Sequence, residues 1–187
     1  MMGLPPELQS ALLGRRVVFL RGRLDEATAN SVIAQLVLVA RTSAGRAIEL
    51  YVESPGGSVG AALSVYDVLQ TSPAPVSTTC IGTTGGASVL VLAGGASGRR
   101  FALPHARVHL QQESIEVPAG DPNQSTSHAD EAVRLQQRWQ AALAQHITLS
   151  AAQLARDLTS GRWLSAAEAR DYGFVDGIIP GAPVGPG

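Results

Sequence analysis

Apolar and polar positions along the chain switch repeatedly between a short β-type run and a helical period. Arg16 to Leu20 is a compact apolar, β-branched run and predicts a strand. Ile33, Leu36, Val37 and Ala40 then share one helical face. Asp25 stands where it can cap that helix and Gly45 where it can end it. Ala47 to Val52 predicts a second strand, Ser54-Pro55-Gly56-Gly57 a tight turn, and Ser58 to Gln70 a helix. Pro73 and Pro75 separate that helix from a strand over Val76 to Ile81. Ser88 to Ala93 is apolar all round, which predicts a buried helix. Two short strands follow, Phe101 to Leu103 and Arg107 to Leu110.

The period is then lost. Glu113 to Ser125, with Pro118, Gly120, Asp121, Pro122 and Asn123, reads as an exposed loop or loosely ordered arm. Ser127 to Ile147 predicts a long helix whose stripe is Ala132, Leu135, Trp139, Ala142, Leu143 and His146. Ser150 with Gln153, and Ser165 with Glu168, have capping-box spacing for two further helices. Gly173 closes the second, and Phe174 to Ile179 predicts a final strand. Strands alternating with helices imply a single α/β domain, expected over residues 12–179. A short N-terminal segment (1–11) precedes it, and a Pro/Gly-rich, flexible tail (180–187) follows.

Composition narrows the classes. The 187 residues are 45% apolar with a net charge of −1, so no strong field calls for nucleic acid or an acidic membrane. All 14 basic residues are arginine, which with abundant Ala and Gly reads as the codon bias of a GC-rich, bacterial genome. The single cysteine, Cys80, reads as a small buried hydrophobe and fits a reducing, cytoplasmic setting. The first 14 residues lack the pattern of a signal peptide. The most apolar window, Val76 to Ala96, is interrupted by Gly82, Thr83, Thr84, Gly85 and Gly86. It reads as strand, turn and buried helix, not as a membrane span. No cofactor and no metal are expected.

The segment from Ile48 to Val59, Ile-Glu-Leu-Tyr-Val-Glu-Ser-Pro-Gly-Gly-Ser-Val, resembles the signature of the Clp protease proteolytic subunit family, ClpP. The resemblance continues through Cys80-Ile81-Gly82, Gly98 to Pro104, Arg107-Val108, Trp163 to Ala169 and Tyr172 to Asp176. It implies the ClpP/crotonase-like spiral ββα fold, with a protruding handle helix and subunits in a heptamer-type ring. Two such rings stack, and an AAA+ unfoldase docks on the end. It also implies a serine endopeptidase site, but the matching positions here are Gly86 for the nucleophilic serine, Gln111 for the histidine and Gly161 for the aspartate. Glycine offers no side chain, and the glutamine amide is not a base near neutral pH. A pseudoenzyme is therefore expected. The family's oxyanion donors correspond to the N–H groups of Gly57 and Ala87, which could still hold a carboxylate or carbonyl oxygen. Gly56 and Gly57 could equally serve only the turn.

Other positions bear on partners. The unfoldase pocket corresponds to Glu49, Tyr51, Thr79, Ile81, Phe101 and Leu103. A carboxylate at 49 and a hydroxyl at 79 argue against independent unfoldase docking, although Glu49 could simply face solvent. Thr159 and Ser160 replace the acidic and arginine residues that link stacked rings, and Glu113 to Ile115 replace the handle's glycine pair. The leading expectation is a non-catalytic ClpP-like subunit, homo-oligomeric or assembled with active paralogues, with a structural or regulatory role. One alternative is an active Clp-type serine endopeptidase rearranged around Ser88 and His109. Helical geometry turns Ser88 about 200° away from position 86, and His109 is two strand positions from Gln111. A second alternative is acyl-thioester binding at Gly57 and Ala87.

Overall fold

The computed structural model describes residues 5–42, 45–113 and 122–181. A seven-stranded mixed sheet carries the fold, with strand order β1-β2-β3-β4-β7. These strands are β1 (Val17–Arg21), β2 (Ile48–Ser54), β3 (Val76–Gly85), β4 (Arg100–Ala102) and β7 (Gly177–Ile178), all pairing in parallel. Strands β5 (Arg107–His109) and β6 (Trp163–Ser165) branch from this path. The first half of β3 pairs with β4 through Thr78–Cys80. Its second half pairs with β5 through Thr83–Gly85, and β5 runs antiparallel to β6.

This division corrects the expectation that β3 ends at Ile81. Two glycines let the strand continue where neighbours crowd it. A Cβ at Gly82 would come within 2.5 Å of the Glu53 carboxylate, and one at Gly85 within 3.0 Å of the Pro55 carbonyl. Val76 to Ala93 is thus β3 followed by the buried helix α4 (Ser88–Ala93). Among the described residues no helix is long and apolar enough to cross a membrane.

Helices α2 (Glu26–Thr42) and α3 (Val59–Thr71) pack on each other and on the sheet side, and α4 lies against β3 and α3. The long helix α5 (Pro122–Ala144) packs on α3 and α4. It begins five residues earlier than its period predicts, so the last four residues of the arm expected over 113–125 are helical instead; residues 114–121 of that arm lie outside the described residues, as does the tail from 182 on. Asp25 caps α2 as expected, accepting from Thr28 N–H at 2.8 Å. The buried face of α2 is Ala29, Val32, Leu36, Val39 and Ala40, whereas Val37 is 40% exposed. The stripe read from the sequence was rotated by about one position.

Ser150 caps α6 (Ala151–Ser160) and Ser165 caps α7 (Ala166–Tyr172). The second box is complete. In the first, the Gln153 side chain turns to Asp157 instead of back to the cap. Two elements carried no sequence signal. Helix α1 (Pro6–Gly14) buries none of its residues and so has no apolar stripe, and β6 is too short for an alternation to register. The final strand keeps only Gly177–Ile178 of the six residues expected. Arg100 fastens it to β4 through paired bonds to Asp176 of 3.0 and 2.5 Å.

Candidate functional site

The turn after β2 is stitched to Leu24. Leu24 N–H donates to the Gly56 carbonyl at 2.9 Å, and Ser58 N–H donates to the Leu24 carbonyl at 2.7 Å. Gly56 and Gly57 have φ of +113° and +147°, and a Cβ at Gly57 would overlap the Leu24 carbonyl. The turn therefore requires its glycines. Its other consequence is directional: the Gly57 N–H faces the end of β3.

There the chain leaves the sheet through Gly86, at φ +48°, whose N–H donates to the His109 carbonyl at 3.0 Å. The next N–H, that of Ala87, converges with the Gly57 N–H on a single oxygen. That oxygen is Glu113 Oε1, at 2.9 Å from Gly57 N and 3.0 Å from Ala87 N. Trp139 of α5 secures the same corner by donating its indole N–H to the Ala87 carbonyl at 3.2 Å.

The positions singled out by the family resemblance lie around this corner. Gln111 donates its side-chain amide to the Pro55 carbonyl at 3.2 Å. The β5–β6 register pairs His109 with Trp163, and Leu110 N–H extends it to the Arg162 carbonyl at 2.8 Å. Gly161 is the left-handed C-cap of α6, and a Cβ on it would lie 3.7 Å from His109 Nε2. A Cβ on Gly86 would overlap the Glu113 carboxylate and stand 3.2 Å from Gln111 Nε2.

Ser88 is fully buried. Its hydroxyl lies 2.6 Å from the Gly85 carbonyl and 3.1 Å from the Ser54 carbonyl, so its single proton goes to backbone. The His109 ring is stacked flat on Trp163, with centroids 4.0 Å apart and planes 7° from parallel. The two side chains are engaged separately.

Beside Gly161, Asp157 is only 6% exposed. Burial pushes its carboxyl up. The donors around it, the Tyr172 hydroxyl first, then the Gln153 amide and Arg162, more than offset that and hold it below the usual carboxylate range. The same contact, with burial first, raises the Tyr172 phenol. Thr159 and Ser160 return their hydroxyls to the Ala155 and Asp157 carbonyls of their own helix.

Glu49, Tyr51, Thr79, Ile81, Phe101 and Leu103 occupy alternate positions of β2, β3, β4 and the residue after it. Tyr51, Thr79 and Phe101 are in register across three strands. Glu49 is exposed and accepts from the Tyr51 hydroxyl at 3.1 Å, and Tyr51 stacks on Phe19 at 5.3 Å. Burial, then the neighbouring carboxylate, raises the Tyr51 phenol.

Glu113 is the functional candidate that sequence reasoning misplaced. Its setting in a Pro/Gly-rich stretch predicts an exposed loop, but the structure turns it inward. The available signal was its spacing: residues 111 and 113 of an extended chain point the same way, toward the space left by Gly86.

The comparisons with known proteins agree on one family. The Clp protease family profile matches residues 6–182. A Clp protease proteolytic subunit-like protein of Streptomyces coelicolor is 42% identical over 92% of this chain and 82% of its own. ATP-dependent Clp protease proteolytic subunits of Corynebacterium glutamicum and Thermobifida fusca are 36% and 33% identical. Each alignment spans 90% of this chain, with 83% and 76% of the relatives covered. On this agreement of sequence and of mixed α/β architecture, the chain belongs to the Clp protease family.

Proposed function

We propose that this chain is a non-catalytic homologue of the Clp proteolytic subunit, with a structural or regulatory role in a Clp-type assembly in the bacterial cytoplasm. The observation that carries the reading is the corner at Gly86. Where the family resemblance calls for a nucleophile, base and orienting acid, this chain has Gly86, Gln111 and Gly161. Peptide hydrolysis needs an alkoxide equivalent, a group to take its proton and a group to orient that base. Loss of such a set is non-additive, so a pocket without all three retains at most binding. A scaffold kept intact around a site without its chemistry fits a subunit that assembles with itself or with active paralogues in a heptamer-type ring.

The surface carries the same reading further. Glu49 and its Tyr51 bond put a hydrated carboxylate in the region corresponding to the unfoldase pocket, which weakens an apolar anchor there. Substrate delivery would then depend on the active partner. Rearrangement around Ser88 and His109 finds little support, because the hydroxyl is bonded to backbone and the imidazole lies against Trp163. A thioester carbonyl has no free donors at Gly57 and Ala87 while Glu113 holds both.

The test is the native mass of the pure protein, alone and mixed with the host's active Clp proteolytic subunit, with peptidase activity followed in parallel. A mixed assembly with altered activity, and a pure protein that cleaves no short peptide, is the expected result. Failure to form any mixed species sinks the regulatory role. Labelling of any serine by a fluorophosphonate probe sinks the non-catalytic one.

A further inference from the structure

We propose that Glu113 is an internal ligand: its carboxylate fills a carboxylate-binding cradle made by the Gly57 and Ala87 N–H groups, and Gly86 supplies the room it needs. The cradle accepts an external carboxylate once Glu113 is removed. This goes beyond the proposed function: it names what occupies the corner and does not depend on any assembly partner.

Three observations carry it. The donors come from separate segments, the β2 turn and the end of β3, yet meet on one oxygen at 2.9 and 3.0 Å. Backbone donors aimed at a carboxylate make charge-assisted bonds stronger than neutral ones. Each donor is also held independently of Glu113: Gly57 by the Leu24 stitching, and Ala87 by its carbonyl bond to Trp139 and by Gly86 N–H on the His109 carbonyl. The donor geometry therefore survives loss of the ligand. Finally, the first atom of any side chain at 86 would overlap the Glu113 carboxylate, and one at Gly56 would overlap it from the other side. The volume is filled by a carboxylate because two glycines leave it open.

Gly57 and Ala87 are buried, so removing the acceptor leaves two N–H groups without a partner, which favours any replacement acceptor that fits. A small carboxylate has the right charge and size. Glu113 itself is half-buried and lies outside every helix and strand and outside the hydrophobic core, so its truncation leaves the core intact.

The experiment is a nitrogen–proton correlation spectrum of the whole chain, reading the Gly57 and Ala87 amides, with acetate as the probe. In Glu113→Ala both signals are expected to shift upfield. Added acetate should return them along a saturable curve, and chloride at matched ionic strength should not. In Gly86→Ser the new side chain should expel the carboxylate and move the same two signals, and Glu113→Ala in that background should move them no further. The proposal is overturned if Glu113→Ala leaves the two amides in place, if acetate acts no differently from chloride, or if a folded Gly86→Ser keeps the wild-type amide positions.

Discussion

His146 lies with its Nε2 3.0 Å from the Tyr66 hydroxyl and its ring edge-on to the phenol, centroids 5.6 Å apart. Burial lowers its affinity for a proton, and the charge of Arg100 adds to this. The unfolded chain therefore binds a proton more readily than the folded one. The associated stability is complete above the ordinary value of 6.5 and is lost as pH falls below it. Urea unfolding between about pH 7.5 and about pH 5.5 should show wild-type stability decreasing with acidity and a flatter profile in His146→Gln. Equal slopes in both proteins would remove His146 from the account. At this scale the sequence was partly legible. The family resemblance singled out Gly86, Gln111 and Gly161, and the Gly57 and Ala87 pair. Glu113 was not legible, because the N–H groups it meets, those of Gly57 and Ala87, lie 56 and 26 residues earlier in the chain.

Arg16 joins three elements. It has φ +67°, the single non-glycine left-handed residue among those described, and is 5% exposed. Its guanidinium donates to the carbonyls of Val39 at 2.8 Å, Arg46 at 2.7 Å and Ala47 at 3.0 Å. It thereby satisfies the last turn of α2 and the entry to β2 from the first residue before β1. Arg16→Ala should cost about 3 kcal/mol, since three charge-assisted bonds are lost, the buried one to the Val39 carbonyl among them. Arg16→Gly should be less damaging by about 1 kcal/mol because glycine removes the left-handed strain. Chemical denaturation of the two variants checks both numbers, and the opposite order would contradict the strain argument. The signals at helix boundaries, Asp25, Ser58, Ser150 and Ser165 at the starts and Gly173 at an end, were readable because capping is local. The extension of β3 through Gly82 and Gly85 was not, since glycine reads as a turn until a neighbouring strand is seen to need the space.

Helix α5 binds the molecule's outer layer to its core. Trp139 and Leu143 are fully buried, and the Trp139 indole reaches the Ala87 carbonyl, so the long helix and the candidate site share one contact. Gln136, one turn earlier, is 7% exposed, and neither its oxygen nor its nitrogen has a hydrogen-bond partner among the described residues. Burying an unpaired amide is costly, so Gln136→Met should raise the stability of the isolated chain by about 1–2 kcal/mol. A thermal melt that shows loss instead would mean the amide finds a partner in solution. In a mixed assembly the same substitution tests whether that partner lies on another subunit.

By itself the sequence determined the α/β class, the family and most helix starts. These follow from period, local capping and motif identity, none of which depends on distant segments. The tertiary structure alone decided that β3 serves two neighbours and that Glu113 meets the Gly57 and Ala87 N–H groups. Those outcomes depend on which backbone N–H groups remain unpaired once the sheet has formed, and residues far apart in the chain settle that together.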